Sequence, residues 1–266
     1  MASPQLLLTD NNIDDHVDDQ IANCLNLHNL QSFFLFAGAG SGKTRTLVKA
    51  LETFCKKSAN TLRVKGKKVG VITFTNAACN EIVKRLNFNP LLDVSTIHSF
   101  VWNLIKGYNQ DIKKWLQKEL EQDLIDLKAA QAKGRASKAY NDRERSIALK
   151  TKKLEELPNI KKFVYNPNGD NKSKASLTHA DVIKIGADFL NEKPLLQSLL
   201  ISQYPIILID ESQDTNKNLM DAFLKIQKLH PKKFCLGLIG DTMQRIYSDG
   251  KSDLEKELSE DWAKPV

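Results

Sequence analysis

Cysteine is scarce in this 266-residue chain: Cys24, Cys55, Cys79 and Cys235 stand far apart, with no CxxC pair. That spacing argues against a zinc site or a disulfide framework and fits a reducing cytoplasm. Glycine (12) and proline (8) are too few for a collagen-like or mucin-like chain. With 41% hydrophobic and 27% charged residues the composition is globular, which excludes a wholly disordered chain. No apolar run approaches the roughly 18 residues of a membrane span. The longest, at 33–37 and 205–209, are strand-sized. The acidic first 19 residues lack the basic-then-apolar layout of a secretory signal.

Charge of one sign is present but uneven. The formal net charge is +7, and residues 128–174 hold 13 Lys/Arg against 5 Asp/Glu, enough to account for the whole excess. Such a stretch points to polyanion contact. Its plain alternative is a solvated helical face. Elsewhere the pattern alternates. Strand-like runs at 33–37, 68–74, 93–96, 205–210 and 234–240 are separated by helix-compatible stretches at 43–57, 76–86, 97–105 and 217–228. Continuous apolar strands between helices predict an α/β fold, a parallel sheet covered by helices. Residues 106–203 break the rhythm. They are strand-poor, with Leu116, Leu120, Leu124 and Leu127 on one helix face, and read as a mostly helical insertion. The expected organisation is therefore 1–105 and 204–266 as one domain, interrupted by a basic lobe at 106–203. No internal repeat is visible.

Two motifs carry chemistry. Ala37-Gly38-Ala39-Gly40-Ser41-Gly42-Lys43-Thr44 follows the first strand and opens a helix. Its glycines let backbone N–H groups turn toward phosphate oxygens. Lys43 brings charge to the terminal phosphates, and the Thr44 hydroxyl can hold Mg²⁺. The leading glycine of the GxxxxGK[ST] pattern is here Ala37. Later, Ile206-Ile207-Leu208-Ile209 delivers Asp210-Glu211-Ser212-Gln213-Asp214 at a strand end. Asp210 is the expected Mg²⁺ partner across from the phosphates, and Glu211 the general base for water. Together they predict nucleoside triphosphate hydrolysis, with ATP as the nucleotide, since no guanine-reading NKxD sequence is present.

With further ordered motifs, the chain resembles the UvrD/Rep type of superfamily-1 DNA helicases. Asp-Asp-Gln20-Ile-Ala resembles the family's adenine-reading glutamine segment, although Gln20 also reads as an ordinary polar helix position. The phosphate loop matches AGAGSGKT and continues into Arg45. Thr73-Phe74-Thr75-Asn76-Ala77-Ala78 resembles TFTNxAA, and Ser95-Thr96-Ile97-His98-Ser99-Phe100 resembles TxHSF; in the family both face single-stranded DNA. Asp210-Glu211-Ser212-Gln213-Asp214-Thr215 resembles DEFQDT with Ser212 in place of the aromatic. Gly240-Asp241-Thr242-Met243-Gln244-Arg245-Ile246-Tyr247 resembles GDxxQxIY.

The resemblance implies a RecA-like fold and these residue roles. Gln20, 37–45, Gln213 and Gln244 would hold ATP, with Lys43, Glu211 and Gln244 catalytic and Thr44 and Asp210 on Mg²⁺. Thr73, Phe74, Thr75, Asn76, Thr96, His98, Ser99, Phe100 and Tyr247 would face single-stranded DNA, with RNA not excluded. Taken as bare residues, the aromatics Phe74, Phe100 and Tyr247 also fit a core. Two departures stand out. Ser248-Asp249-Gly250-Lys251 replaces an expected aromatic and Arg-Gly, and nothing up to Val266 matches the family's second RecA-like domain. The expected function is the N-terminal motor domain of an ATP-dependent translocase or helicase, an interrupted chain whose second domain and any protein partner lie elsewhere. The alternatives are an ATP-dependent binding switch without unwinding and, more remotely, a P-loop nucleotide kinase. No membrane partner is expected.

Overall fold

The computed structural model describes residues 15–36, 38, 42–134, 137–169, 171–241, 258 and 261–265. Its chain contacts divide it into two compact units, residues 1–100 with 190–266, and residues 101–189.

The first unit is built on a five-stranded parallel sheet. Its strands are β1 (Phe33–Phe36), β2 (Val69–Thr73), β3 (Leu92–Thr96), β4 (Ile206–Ile209) and β5 (Cys235–Gly240), in the order β1-β5-β4-β2-β3. The three central strands are buried along their whole length. Only a sheet covered on both faces lets VGVIT, IILI and CLGLIG leave water at every position. Edge strand β3 (LDVST) is buried only at its two ends, as an outer strand can be. Registers such as Phe36↔Gly240, Ile209↔Leu238, Ile72↔Ile209 and Thr73↔Thr96 align the carboxyl ends of all five strands. The outer edge of β1 is paired too. Phe34 N–H donates to the Ala263 carbonyl at 3.0 Å, and buried Trp262 donates its indole N–H to Gln227 Oε1. Covering an edge removes a template for unwanted strand pairing.

Helix α1 (Asp15–Cys24) and helix α2 (Lys43–Val64) pack on one face, with Ile21, Leu47, Leu51 and Phe54 in a core shared with Phe33, Val71 and Leu208. The Leu47, Ala50, Leu51 and Phe54 spacing is an apolar helix stripe, and it continues to Leu62, so α2 runs past the predicted residue 57. Helix α3 (Asn76–Arg85) and helix α4 (Ile97–Ile105) follow β2 and β3. β5 is thinned by Gly237, where a Cβ would come 2.5 Å from Leu208 Cδ2 and 2.5 Å from the Phe33 ring. Gly237→Ala is therefore expected to destabilise the fold by about 1–3 kcal/mol through overpacking. Chemical denaturation checks it; an unchanged midpoint would contradict this close approach.

The second unit holds a helical hairpin. Helix α5 (Asn109–Ala132) buries Ile112, Leu116, Leu120 and Leu124, while helix α6 (Lys138–Glu156) buries no residue. Polar links hold the pair: Arg143 Nε donates to Gln131 Oε1 at 3.1 Å, and Lys150 pairs with Asp123. Helix α7 (His179–Glu192) adds Asp188, which accepts from the Trp115 indole at 2.7 Å. This unit spans 101–189, where the sequence pattern set the lobe at 106–203. Helix α8 (Pro194–Gln203) belongs to the sheet unit, where the Gln203 carbonyl accepts from Lys68 N–H at the start of β2. Helix α9 (Lys217–Leu229) completes the described helices, none of which is long and apolar enough to cross a membrane.

Candidate nucleotide and nucleic-acid site

Because every strand is parallel, the segments leaving their carboxyl ends gather on one edge of the sheet, where open α/β sheets bind ligands. β1 leads toward Gly42 and α2, β2 to Phe74-Thr75-Asn76, β3 to α4, β4 to Asp210-Glu211 and β5 to Asp241.

The geometry tightens between α2 and β4. Gly42, at φ +80, is the N-cap of α2, a left-handed position that suits glycine, and no side chain caps the helix start. The first-turn N–H groups have no acceptor within the helix, so its positive end suits an anion. Lys43 is the first residue of that helix. Its side chain is only 10% exposed, and Nζ lies 3.6 Å from Glu211 Oε2. Thr44 is half-buried, and Arg45 is exposed.

Glu211 itself sits at φ +51, which costs a non-glycine residue about 1–2 kcal/mol. The left-handed turn reverses the chain immediately after buried β4, at the point where Glu211 meets Lys43. Asp210, just before it, is buried, and its Oδ1 accepts from Glu211 N–H at 3.1 Å. Burial, followed by the neighbouring Glu211 charge, pushes the Asp210 carboxyl up to about 6; the Glu211 N–H and Lys43 oppose the shift. A buried acid with its charge so disfavoured is a ready ligand for a cation. The pair of Thr44 hydroxyl and Asp210 carboxylate is a hard-oxygen donor set that fits Mg²⁺.

Gln213 links two strands at this edge. Its Nε2 donates to Glu211 Oε2 at 2.7 Å, and its Oε1 accepts from Asp241 N–H at 3.2 Å. Asp241 is itself buried at the end of β5. Sequence reasoning named Gln213 but missed Asp241 as its partner. The only signal was the GD pair after an apolar strand, and pairing of β4 with β5 was needed to join them.

The expected nucleic-acid residues divide by burial. Thr73 and Phe100 face inward. The Thr73 hydroxyl donates to the Thr75 carbonyl at 3.1 Å and lies 3.0 Å from Cys79 Sγ, while the Phe100 ring packs on Tyr204 at 5.2 Å between centroids. Their side chains lie in the core, each 2% exposed. Thr75 caps α3 by accepting from Ala78 N–H, and Thr96 accepts from Ser99 N–H at the start of α4. Thr75 and Asn76 are exposed, and Phe74, His98 and Ser99 half-buried. Gln20 is exposed on α1. Ala37, Ala39, Gly40, Ser41, Gln244, Tyr247 and Asp249 lie outside the described residues.

A five-stranded parallel sheet, with a lysine-headed helix and paired acids at one edge, defines a RecA-like α/β domain. The chain belongs to the family described as the UvrD/REP helicase N-terminal domain, which it matches over residues 18–259. Among known proteins it is 26% identical over 280 residues to Gabija protein GajB of Bacillus cereus (strain HuB5-5), covering 80% of this chain and 41% of that one. It is 29% identical over 236 residues to the ATP-dependent DNA helicase Rep of Buchnera aphidicola subsp. Baizongia pistaciae, covering 80% and 34%. A 98-residue stretch is 37% identical to RecBCD enzyme subunit RecB of Buchnera aphidicola subsp. Schizaphis graminum, covering 37% and 8%. The chain thus spans less than half the length of these curated relatives.

Proposed function

We propose that this chain is the nucleotide-hydrolysing motor domain of a cytoplasmic, ATP-dependent single-strand DNA translocase or helicase. The observation that carries the reading is Lys43 set 3.6 Å from Glu211, with buried Asp210 adjacent, at the carboxyl edge of the sheet. In this reading the α2 amino end and Lys43 take the phosphates, and the triphosphate displaces Lys43 from Glu211. Thr44 and Asp210 would hold Mg²⁺, which when bound would supply charge neutralisation on the phosphate oxygens. Freed from Lys43, Glu211 orients and deprotonates the attacking water. Gln213, bonded to both Glu211 and the end of β5, passes the state of the acid to the segment carrying Gln244. Gln20 reads the adenine.

Thr75, Asn76, Phe74, His98 and Ser99 form the nucleic-acid edge, while Thr73 and Phe100 support it from below. The basic residues of α6 contact backbone phosphates. A second RecA-like domain in a longer parent would supply the arginine that completes the site, worth about 10³–10⁵ in rate. The test is steady-state ATP turnover by that parent with and without a single-stranded oligonucleotide. Stimulation by DNA is the expected result. Nucleotide-dependent DNA binding without turnover would replace the motor with a switch, and phosphoryl transfer to a small acceptor would replace it with a kinase.

A further inference from the structure

The opposite edge of the same sheet carries a cavity of about 450 Å³. Its lining includes Leu30 just ahead of β1, Lys67 ahead of β2, Pro205 ahead of β4 and Lys233 ahead of β5. All four positions precede amino ends of parallel strands, so the cavity is separated from the nucleotide edge by the length of the sheet, about 15 Å at 3.3 Å per residue.

Two features of this cavity belong together. Leu27, Leu30, Leu62, Ile201 and Pro205 give it an apolar floor. Lys65, Lys67, Lys232 and Lys233 supply four cations, with His230 beside them, and the lining contains no Asp or Glu. The C-terminal ends of α2 and α9 lie here, at Lys65 and His230, and basic groups offset their negative dipole ends. That accounts for cations at two helix ends but not for the apolar surface running out of the cavity. Ser198 and Ser202, one turn apart on α8, line the cavity, and on the same helix face Leu195 and Leu199 are 70% and 50% exposed. An uncovered leucine pair continuous with a lysine-rimmed apolar hollow is a surface with a missing partner.

We propose that this cavity and the Leu195/Leu199 face dock an acidic peptide segment of a partner protein. Apolar side chains of the segment fill the floor and cover the two leucines, and its carboxylates meet the four lysines. Charge complementarity selects an anionic occupant. The lining contains no Phe, Tyr, Trp or Arg, with His230 its single aromatic ring, and the exposed surface beside it is the aliphatic Leu195/Leu199 pair, which favours a protein segment over a nucleic acid. Because no nucleotide or nucleic-acid residue of the site described above lines this cavity, docking here leaves that site free.

The probe is a displayed library of random 12-residue peptides, selected on the wild-type chain and counter-selected on the Lys65→Glu/Lys67→Glu/Lys232→Glu/Lys233→Glu variant. The expected yield is peptides that combine Asp/Glu with Leu, Ile or Phe. Their affinity, read by fluorescence anisotropy, falls at least tenfold in that variant and also in Leu195→Ser/Leu199→Ser, and weakens as salt rises. Both variants should retain the wild-type circular dichroism spectrum and bind an ATP analogue as before, which separates this proposal from the nucleotide reading. Enriched peptides indifferent to both variants, or no enrichment, overturn the proposal. Binding of a single-stranded oligonucleotide that is lost only in the lysine variant would instead assign the face to nucleic acid and overturn it as well.

Discussion

Replacing Glu211 with glutamine is expected to slow ATP hydrolysis by about 10²-fold or more while leaving nucleotide affinity within a few-fold of wild type. The loss follows from the role of a positioned base, which contributes about 10²–10⁴ in rate. Binding survives because glutamine keeps the side chain's length and oxygen, so it can still accept from Gln213, and because Lys43 no longer has a carboxylate to leave before meeting phosphate. The measurement pairs single-turnover hydrolysis with equilibrium binding of an ATP analogue, in a parent chain that turns over. Unchanged hydrolysis would move the base to another residue. Equal losses in binding and rate would make Glu211 a structural support of the loop.

Asp210→Asn is expected to stabilise the domain while removing its metal-dependent nucleotide binding. Burial pushes the folded-state carboxyl up to about 6, whereas an unfolded aspartate titrates at about 3.9. The folded state therefore holds this proton more tightly. Below about pH 4 the group is neutral in both states and costs nothing. As the pH rises from 4 to 6, the unfolded carboxyl ionises freely and the folded one resists, so stability falls. Above pH 6 the full penalty stands, about 3 kcal/mol by linkage. Asparagine avoids that penalty and can still accept the Glu211 N–H through its amide oxygen. Denaturant unfolding at pH 7.5 and at pH 4 checks the prediction: the variant should be more stable at the first and equal to wild type at the second. A gain in stability purchased by loss of a functional charge is the usual trade at active sites. An advantage that persists undiminished at pH 4 would show that something other than this ionisation separates the two proteins.

Much of this architecture is legible in the chain because its central strands are buried on both faces. VGVIT, IILI and CLGLIG carry no charged residue and have a hydroxyl only at Thr73, the end of β2, so each reads as a strand without knowledge of its neighbours. Helix α4 is bounded by sequence at Ile97–Ile105 for a similar reason, since Thr96 accepts from Ser99 N–H at one end. Positions whose fate depends on packing across the sheet were not legible. Thr73 and Phe100 sit in motifs that resemble DNA-facing segments, yet Cys79 and Tyr204 occupy their polar and aromatic surfaces. Asp93 likewise accepts from the Tyr204 hydroxyl, a contact spanning more than a hundred residues that no local pattern announces. The limit of the inserted lobe was set by contacts such as the Lys68 to Gln203 backbone bond, between segments far apart in the chain. At the candidate site, Lys43 at the head of a helix and the acidic pair after β4 were legible as spacing. The relay from Glu211 through Gln213 to Asp241 was not, because it exists only where β4 and β5 lie side by side.

The central claim is that the carboxyl edge of the sheet receives a triphosphate between the start of α2 and the end of β4. Its most direct test is equilibrium titration of residues 1–266 with a fluorescent ATP analogue in Mg²⁺, for the wild-type chain and for Lys43→Ala. Removing this largely buried ammonium deletes a charge-assisted contact worth about 1.5–3 kcal/mol, so affinity should fall tenfold or more while the variant stays folded. Equal affinity in the two proteins would contradict the site.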